Sequence, residues 1–150
     1  MMMAMKSLVI QISKLHPDAI IPVYHKEGDS GFDLHACLET YIPAGESRII
    51  PTGLAFAIPD GFEMQIRLRS GAALTTPLVI ANAPGTIDSG YRGEVGIIAR
   101  NVSSDGWTVR QGERVAQGVI CPVYKALFVE QTKLPPSDRG GAGFGSTGYC

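Results

Sequence analysis

One alternating stretch near the middle of the chain limits the fold more than any other part of it. Phe62, Met64, Ile66 and Leu68 alternate with Glu63, Gln65, Arg67 and Arg69, a period of two that marks a half-buried β-strand. Ile10 and Ile12 alternate with Gln11 and Ser13 within Leu8 to Leu15, and Val95, Ile97 and Ala99 repeat the pattern. Pro43-Ala44-Gly45, Pro59-Asp60-Gly61, Ala83-Pro84-Gly85 and Asp105-Gly106 punctuate these runs with turn chemistry. Short strands spaced in this way predict an all-β sandwich or closed barrel. A single short helix is expected to start near Ser70, run through Ala72, Ala73 and Leu74, and stop at Pro77. No internal repeat, charge block or second domain is visible. Residues 1–150 therefore read as one domain, with a core over about 6–134 and a flexible glycine-rich arm over about 135–150, introduced by Pro135-Pro136.

Composition narrows the function classes. A chain of 150 residues is long enough to bury a real core, and 45% hydrophobic against 18% charged residues suits a soluble globular protein. A formal net charge of −1 gives no field to attract polymeric nucleic acid, though a few local cations suffice for a small nucleotide. No run is long enough to span a membrane and none has the shape of a signal peptide, so a cytoplasmic protein is expected. Cys37, Cys121 and Cys150 are an odd, widely spaced set without a C-x-x-C pair, and read as buried or incidental thiols of a reducing compartment. His16, His25 and His35 form no metal signature, so no protein-bound zinc is expected. The opening Met1-Met2-Met3-Ala4-Met5 is set aside from fold reasoning.

Several segments carry chemistry. The turn from Gly85 through Asp88 and Tyr91 to Glu94 presents a carboxylate and an aromatic three positions apart. The run from Arg139 to Gly148 supplies glycine amides that can nest around phosphate oxygens, the hydroxyls of Ser146 and Thr147, and the planar Arg139 fork. It is not a Walker A loop, since no Gly-Lys-Ser/Thr follows its first glycines. A mobile tail is the plain reading, but Phe144 and Arg139 have no use in a pure linker. At Arg69-Ser70-Gly71 a cation, a hydroxyl and free amides at one helix start make an anion site; the alternative is a solvent-facing arginine with Ser70 as an N-cap. Gln117 shares the parity of Val115, Val119 and Cys121, and a polar amide on that side needs a partner, either a ligand or a core group. Asp33 shares parity with no apolar stripe, which taken alone reads as a turn or cap residue.

Five segments in order resemble the five motifs of the homotrimeric dUTPase family, the deoxyuridine triphosphate nucleotidohydrolases. Ser30-Gly31-Phe32-Asp33-Leu34-His35-Ala36 resembles the first, Arg69-Ser70-Gly71 the second and Gly85 to Glu94 the third. Gly112-Glu113-Arg114-Val115-Ala116-Gln117 is similar to the fourth, and Arg139 to Gly148 to the fifth. The match spans about residues 30–148, and Leu68 departs from the proline that many members carry before the motif-two arginine.

The resemblance implies a jelly-roll-like, distorted β-barrel assembled as a homotrimer whose sites are shared between subunits. It implies hydrolysis of dUTP to dUMP and pyrophosphate by water attack on the α-phosphorus, which keeps uracil out of DNA and supplies dUMP for thymidylate synthesis. In that scheme Asp88 resembles the general base, and Tyr91 the ring that packs on the deoxyribose and leaves no room for a 2′-hydroxyl. Asn82, with the backbone around Gly85 and Ile87, lies in what would be a uracil-reading hairpin. Arg69, Ser70, Gly71 and Gln117 look like phosphate contacts. Phe144 would cover the uracil while Arg139, Gly145, Ser146 and Thr147 close on the substrate. Asp33 resembles an acidic residue near the Mg²⁺, which in this family rides mainly on the triphosphate. The rival readings are a dCTP deaminase of the same superfamily and a catalytically silent nucleotide-binding trimer; the joint presence of Asp88 and Tyr91 argues against a mere binder.

Overall fold

The computed structural model describes residues 7–145, 147 and 148. Along these residues run β1 (Gln11–Lys14), β2 (Phe32–His35), β3 (Thr40–Ile42), β4 (Ser47–Pro51), β5 (Leu54–Ala57) and β6 (Phe62–Leu68). They are followed by α1 (Ser70–Thr75), β7 (Leu78–Ile80), β8 (Gly85–Ile87), β9 (Gly96–Asn101), β10 (Trp107–Val109) and β11 (Arg114–Pro122). All strand pairs are antiparallel. The strands form sheets in the orders β2-β11-β6-β8, β4-β9-β7, β1-β5 and β3-β10. Among the described residues the fold is all-β with one short helix and a jelly-roll-like arrangement, and its hydrogen-bond ladders do not close into one ring.

Gly53 is one place where the ladder breaks. It joins β4 to β5 at φ 67°, and a Cβ there would lie 2.8 Å from both Ala19 Cβ and Cys37 Sγ. Only glycine can hold this left-handed, crowded corner. Beside it the buried Thr52 hydroxyl donates to Val95 O at 2.6 Å and accepts the Leu54 amide at 3.2 Å. The corner carries the chain from one sheet to the next without leaving its polar groups unpaired.

The alternation of β6 has the expected consequence: Met64 and Ile66 are buried while Arg67 is exposed. Val95, Ile97 and Ala99 are all completely buried. Together with Leu34, Ile42, Ile50, Leu54, Ile58 and Val109 they belong to one continuous core. Each large aliphatic side chain taken from water there contributes roughly 1.5–3 kcal/mol. Cys37 is buried and Cys121 half-buried, both as free thiols; Cys150 lies outside the described residues. Among the described residues no helix is long and apolar enough to cross a membrane.

One local alternative falls. The helix begins at Ser70, but its N-cap is Arg69 in an extended conformation and no side chain caps it, so Ser70 is not the cap. The last strand ends some way before the arm expected from about 135. β11 stops at Pro122, and among the described residues the Val123 amide to Gly61 O, 2.8 Å, is the last backbone hydrogen bond from this end to the body. Tyr124, Leu127 and Phe128 beyond it are more than nine-tenths exposed. Among the described residues these apolar side chains, within the expected core bounds of about 6–134, have nothing to pack on.

Candidate active site

A polar cluster gathers at one end of β6 and β11. Asp33 sits in mid-strand on β2, and its side chain is only 10% exposed. It is not the turn or cap residue that its parity suggested, because its carboxylate is paired inside the fold. Oδ1 accepts from Arg69 Nε at 2.7 Å, while Oδ2 meets Arg114 at 3.3 Å and His25 Nε2 at 2.9 Å. A carboxylate this secluded is tolerated because cations and hydrogen bonds replace its water.

Backbone irregularity builds the other side of the cluster. A bulge between Arg114 and Ala116 interrupts the pairing of β11 with β2. The displaced carbonyls are used at once: Val115 O accepts the Arg69 amide at 3.3 Å, and Arg114 O accepts from the Arg69 guanidinium at 3.3 Å. Arg69 is therefore gripped from two strands, with Ser70 and Gly71 opening α1 immediately after it. The first amides of a helix have no intrahelical acceptor, so those of Ser70 and Gly71 remain available.

Gln117 lies level with Asp33 on one side and Arg67 on the other. Its amide donates to Leu68 O at 3.3 Å, and its Oε1 occupies the space a Cβ on Gly31 would need. It thus packs between the first two motif segments. His35 neighbours this cluster. Burial pushes its imidazole below the ordinary 6.5, outweighing the upward pull of Asp33, and Arg114, Arg69 and His25 add to the depression. Its Nδ1 is buried without a hydrogen-bond partner.

Asp88 and Tyr91 are elsewhere. β8 pairs with β6 so that Ile87 faces Met64 and Gly85 faces Ile66, which puts Asp88 level with Glu63. Arg69 lies beyond the opposite end of the same strand, roughly 20 Å away at about 3.3 Å per residue. Asp88 is exposed, and among the described residues no hydrogen bond engages its carboxylate. The turn that carries it is firm: the Tyr91 amide bonds Asp88 O at 3.1 Å, and the Arg92 guanidinium bonds Ser89 O at 2.6 Å and Tyr91 O at 2.9 Å. The Tyr91 hydroxyl donates to Glu94 O at 2.9 Å.

Asn82 is exposed in the link between β7 and β8, while Gly85 is buried and Ile87 packs against the core. That link is not a paired hairpin. β7 bonds to β9 in one sheet and β8 to β6 in another, so residues 81–84 arch between sheets.

The glycine-rich run forms a third group. Arg139 Nε donates to Ala142 O at 2.9 Å within its own loop. Phe144 adopts φ 50° and is fully exposed, and Gly145 follows at φ 88°. Thr147 is exposed, and Ser146 lies outside the described residues. One chain therefore brings together Asp33, Arg69, Ser70, Gly71 and Gln117, but leaves Asp88 with Tyr91, and Arg139 with Phe144, as separate groups.

Arg114 and His25 were not singled out from sequence, although both bond Asp33. Arg114 stands inside the fourth motif segment, so its chemistry was visible there; the bulge that aims it was not. Among the described residues no three or more His, Cys, Asp or Glu side chains are grouped to hold a metal ion. Both Asp33 oxygens are already committed, so these residues do not fit a protein-built metal cage.

The dUTPase family model matches residues 17–148. The deoxyuridine 5′-triphosphate nucleotidohydrolase of Helicobacter pylori strain Shi470 is 46% identical over 139 residues, covering 93% of this chain and 96% of that protein. The protein of the same name from Nautilia profundicola is 45% identical over 139 residues, with 93% and 98% covered. Among solved structures, the Staphylococcus bacteriophage 80alpha dUTPase with dUpNHpp superposes with a TM-score of 0.87 at 27% identity, covering 95% of this chain and 99% of that one. A D-to-N mutant dUTPase from phage phi11 of S. aureus, whose structure describes the coordination of a structural Mg(II) ion, shares the fold at a TM-score of 0.78 and 24% identity, covering 84% and 98%. With a match across nearly the whole length, like-named relatives along the same span and a common fold, the chain belongs to the dUTPase family.

Proposed function

We propose that this chain hydrolyses dUTP to dUMP and pyrophosphate, acting in the cytoplasm as a homotrimer with shared sites. The observation that supports the reading best is the family match over residues 17–148, which includes the firm turn bearing both Asp88 and Tyr91. Asp88 orients a water and takes its proton as the water oxygen attacks the α-phosphorus. The bond from that phosphorus to the bridging oxygen breaks, pyrophosphate leaves, and the proton passes on to solvent. Arg69, Gln117 and the amides of Ser70 and Gly71 hold the phosphates and neutralise charge in the transition state. Mg²⁺ belongs here to the substrate, as the magnesium–triphosphate complex, and Asp33 acts through Arg69 and water rather than as a direct ligand.

Asn82 and the arch backbone read uracil, and Tyr91 reads the sugar. Phe144, Arg139, Gly145, Ser146 and Thr147 close over the substrate and exclude water. The distance of roughly 20 Å between Asp88 and Arg69 on one chain is what calls for more than one subunit per site. The exposed Leu127, Phe128 and Val129 supply apolar area for such contacts.

The test is pyrophosphate release from Mg–dUTP, compared with dTTP, dCTP and UTP. Release from dUTP far above the other three is the expected result. Ammonia release from dCTP would indicate the deaminase, and binding without pyrophosphate the silent trimer.

A further inference from the structure

The reading of Tyr91 as the sugar-sensing ring leaves open what holds that ring in place, since it is 45% exposed and lies on a turn. An exposed tyrosine can discriminate one hydroxyl group only if its ring cannot drift. Two neighbours fix it. A Cβ on Gly93 would lie 2.5 Å from the Tyr91 hydroxyl oxygen and 2.8 Å from the ring carbon that bears it. The ring therefore lies flat in the space that a side chain at 93 would take. The backbone of Gly93 is not in the left-handed region, so this glycine is required by the ring rather than by its own conformation.

Glu94 supplies the second constraint. Its carbonyl accepts the Tyr91 hydroxyl at 2.9 Å, while its carboxylate accepts the Gly53 amide at 2.7 Å. Gly53 is itself locked against Ala19 and Cys37 in the core. A continuous path thus runs from core to Gly53, to the Glu94 side chain, to the Glu94 carbonyl, to the tip of the Tyr91 ring.

We infer that Gly93 and Glu94 are the positioning residues that seat the Tyr91 ring and so set discrimination between deoxyribose and ribose nucleotides. The inference deepens the proposed function and rests on Tyr91 reading the sugar. Gly93→Ala forces the ring off its seat without straining the backbone. Glu94→Ala frees the carbonyl that anchors the ring tip, whereas Glu94→Gln keeps an oxygen for the Gly53 amide.

The experiment measures kcat/KM for dUTP and for UTP in these three variants and in Tyr91→Ala. A loss of folded protein lowers both values together and leaves their ratio alone, so the ratio reports the seat itself. Tyr91→Ala, Gly93→Ala and Glu94→Ala are each expected to lower the dUTP:UTP ratio by about tenfold or more, with Glu94→Gln close to the parent. If Tyr91→Ala lowers the ratio but Gly93→Ala and Glu94→Ala do not, the seat is overturned and the sugar reading stands. If Tyr91→Ala itself leaves the ratio unchanged, the sugar reading falls and the seat with it. Should Gly93→Ala not fold, Glu94→Ala against Glu94→Gln decides alone, because equal ratios in the two overturn the proposal.

Discussion

Arg69 and Arg139 bring the same charge to the same proposed task, yet the chain holds them in opposite ways. Arg69 is fixed before any substrate arrives, by the Asp33 carboxylate at 2.7 Å and by Arg114 O at 3.3 Å. Arg139 bonds only a carbonyl of its own loop, in an arm that makes no backbone hydrogen bond to the body beyond Val123 among the described residues. The first arrangement places its orientation cost in folding, so the charge can act without reorganising. In the proposed closure the second would defer ordering to the moment of binding, where each immobilised side chain costs about 0.5–1.5 kcal/mol. A site assembled from both kinds can be open to entry and still hold its substrate rigidly once closed.

The comparison has a ceiling in the chemistry itself. Asp88→Asn should lower kcat by about 10²–10⁴-fold, the scale of general-base loss, with an unchanged melting curve. Steady-state kinetics beside circular dichroism checks both, and near-normal turnover would remove Asp88 from the mechanism. Next comes the arm. Deleting residues from Pro135 onward should reduce kcat/KM by about 10²-fold, through lost positioning, without lowering the melting temperature. A truncated protein with full activity would break the comparison, since the deferred half would then contribute nothing.

The prearranged half should fail differently. Asp33→Ala strips Arg69 and Arg114 of their shared partner and should cost about 1–3 kcal/mol of stability, read by urea unfolding. The figure sits below that of a fully buried pair because both arginines are partly exposed. Arg139→Ala should cost no stability at all, and equal losses in the two variants would erase the distinction.

The smallest effect is expected from pH. His35 sits below its ordinary 6.5 in the folded chain, chiefly through burial. As pH falls, the unfolded chain takes up this proton first, so the stability contribution is present above about 6.5 and is lost as pH drops towards the folded value. Melting temperatures between about pH 7.5 and 5 should fall less in His35→Asn than in the parent.

The strands were legible because one buried face imposes a period of two, as on β6 with Met64 and Ile66 inside. That same rule concealed Asp33. Phe32, Asp33 and Leu34 are all buried, so β2 has no wet face for alternation to mark. The partners of Asp33 come from Arg69 and Arg114, far along the chain, and one of them is aimed by a bulge that no residue spacing announces. The motif segments were readable as segments, yet their grouping was not. Asp88 and Arg69 look close in sequence terms, yet Asp88 falls level with one end of β6 while Arg69 follows the other end. Leu127 and Phe128 lie within the expected core bounds and yet are exposed, since apolar character predicts burial but cannot say against whose surface.

The separation of Asp88 from Arg69 along β6 also has a genetic consequence. If each site takes its base from one subunit and its arginine from another, activity is inherited by the assembly and not by the single polypeptide. A chain lacking Asp88 and a chain lacking Arg69 would each be inert alone, yet co-expressed they would complement, because some mixed sites would combine the intact half of each. By the same logic a chain lacking both groups would silence more sites than its share of the protein, because in a mixed trimer it spoils one site through the missing base and another through the missing arginine.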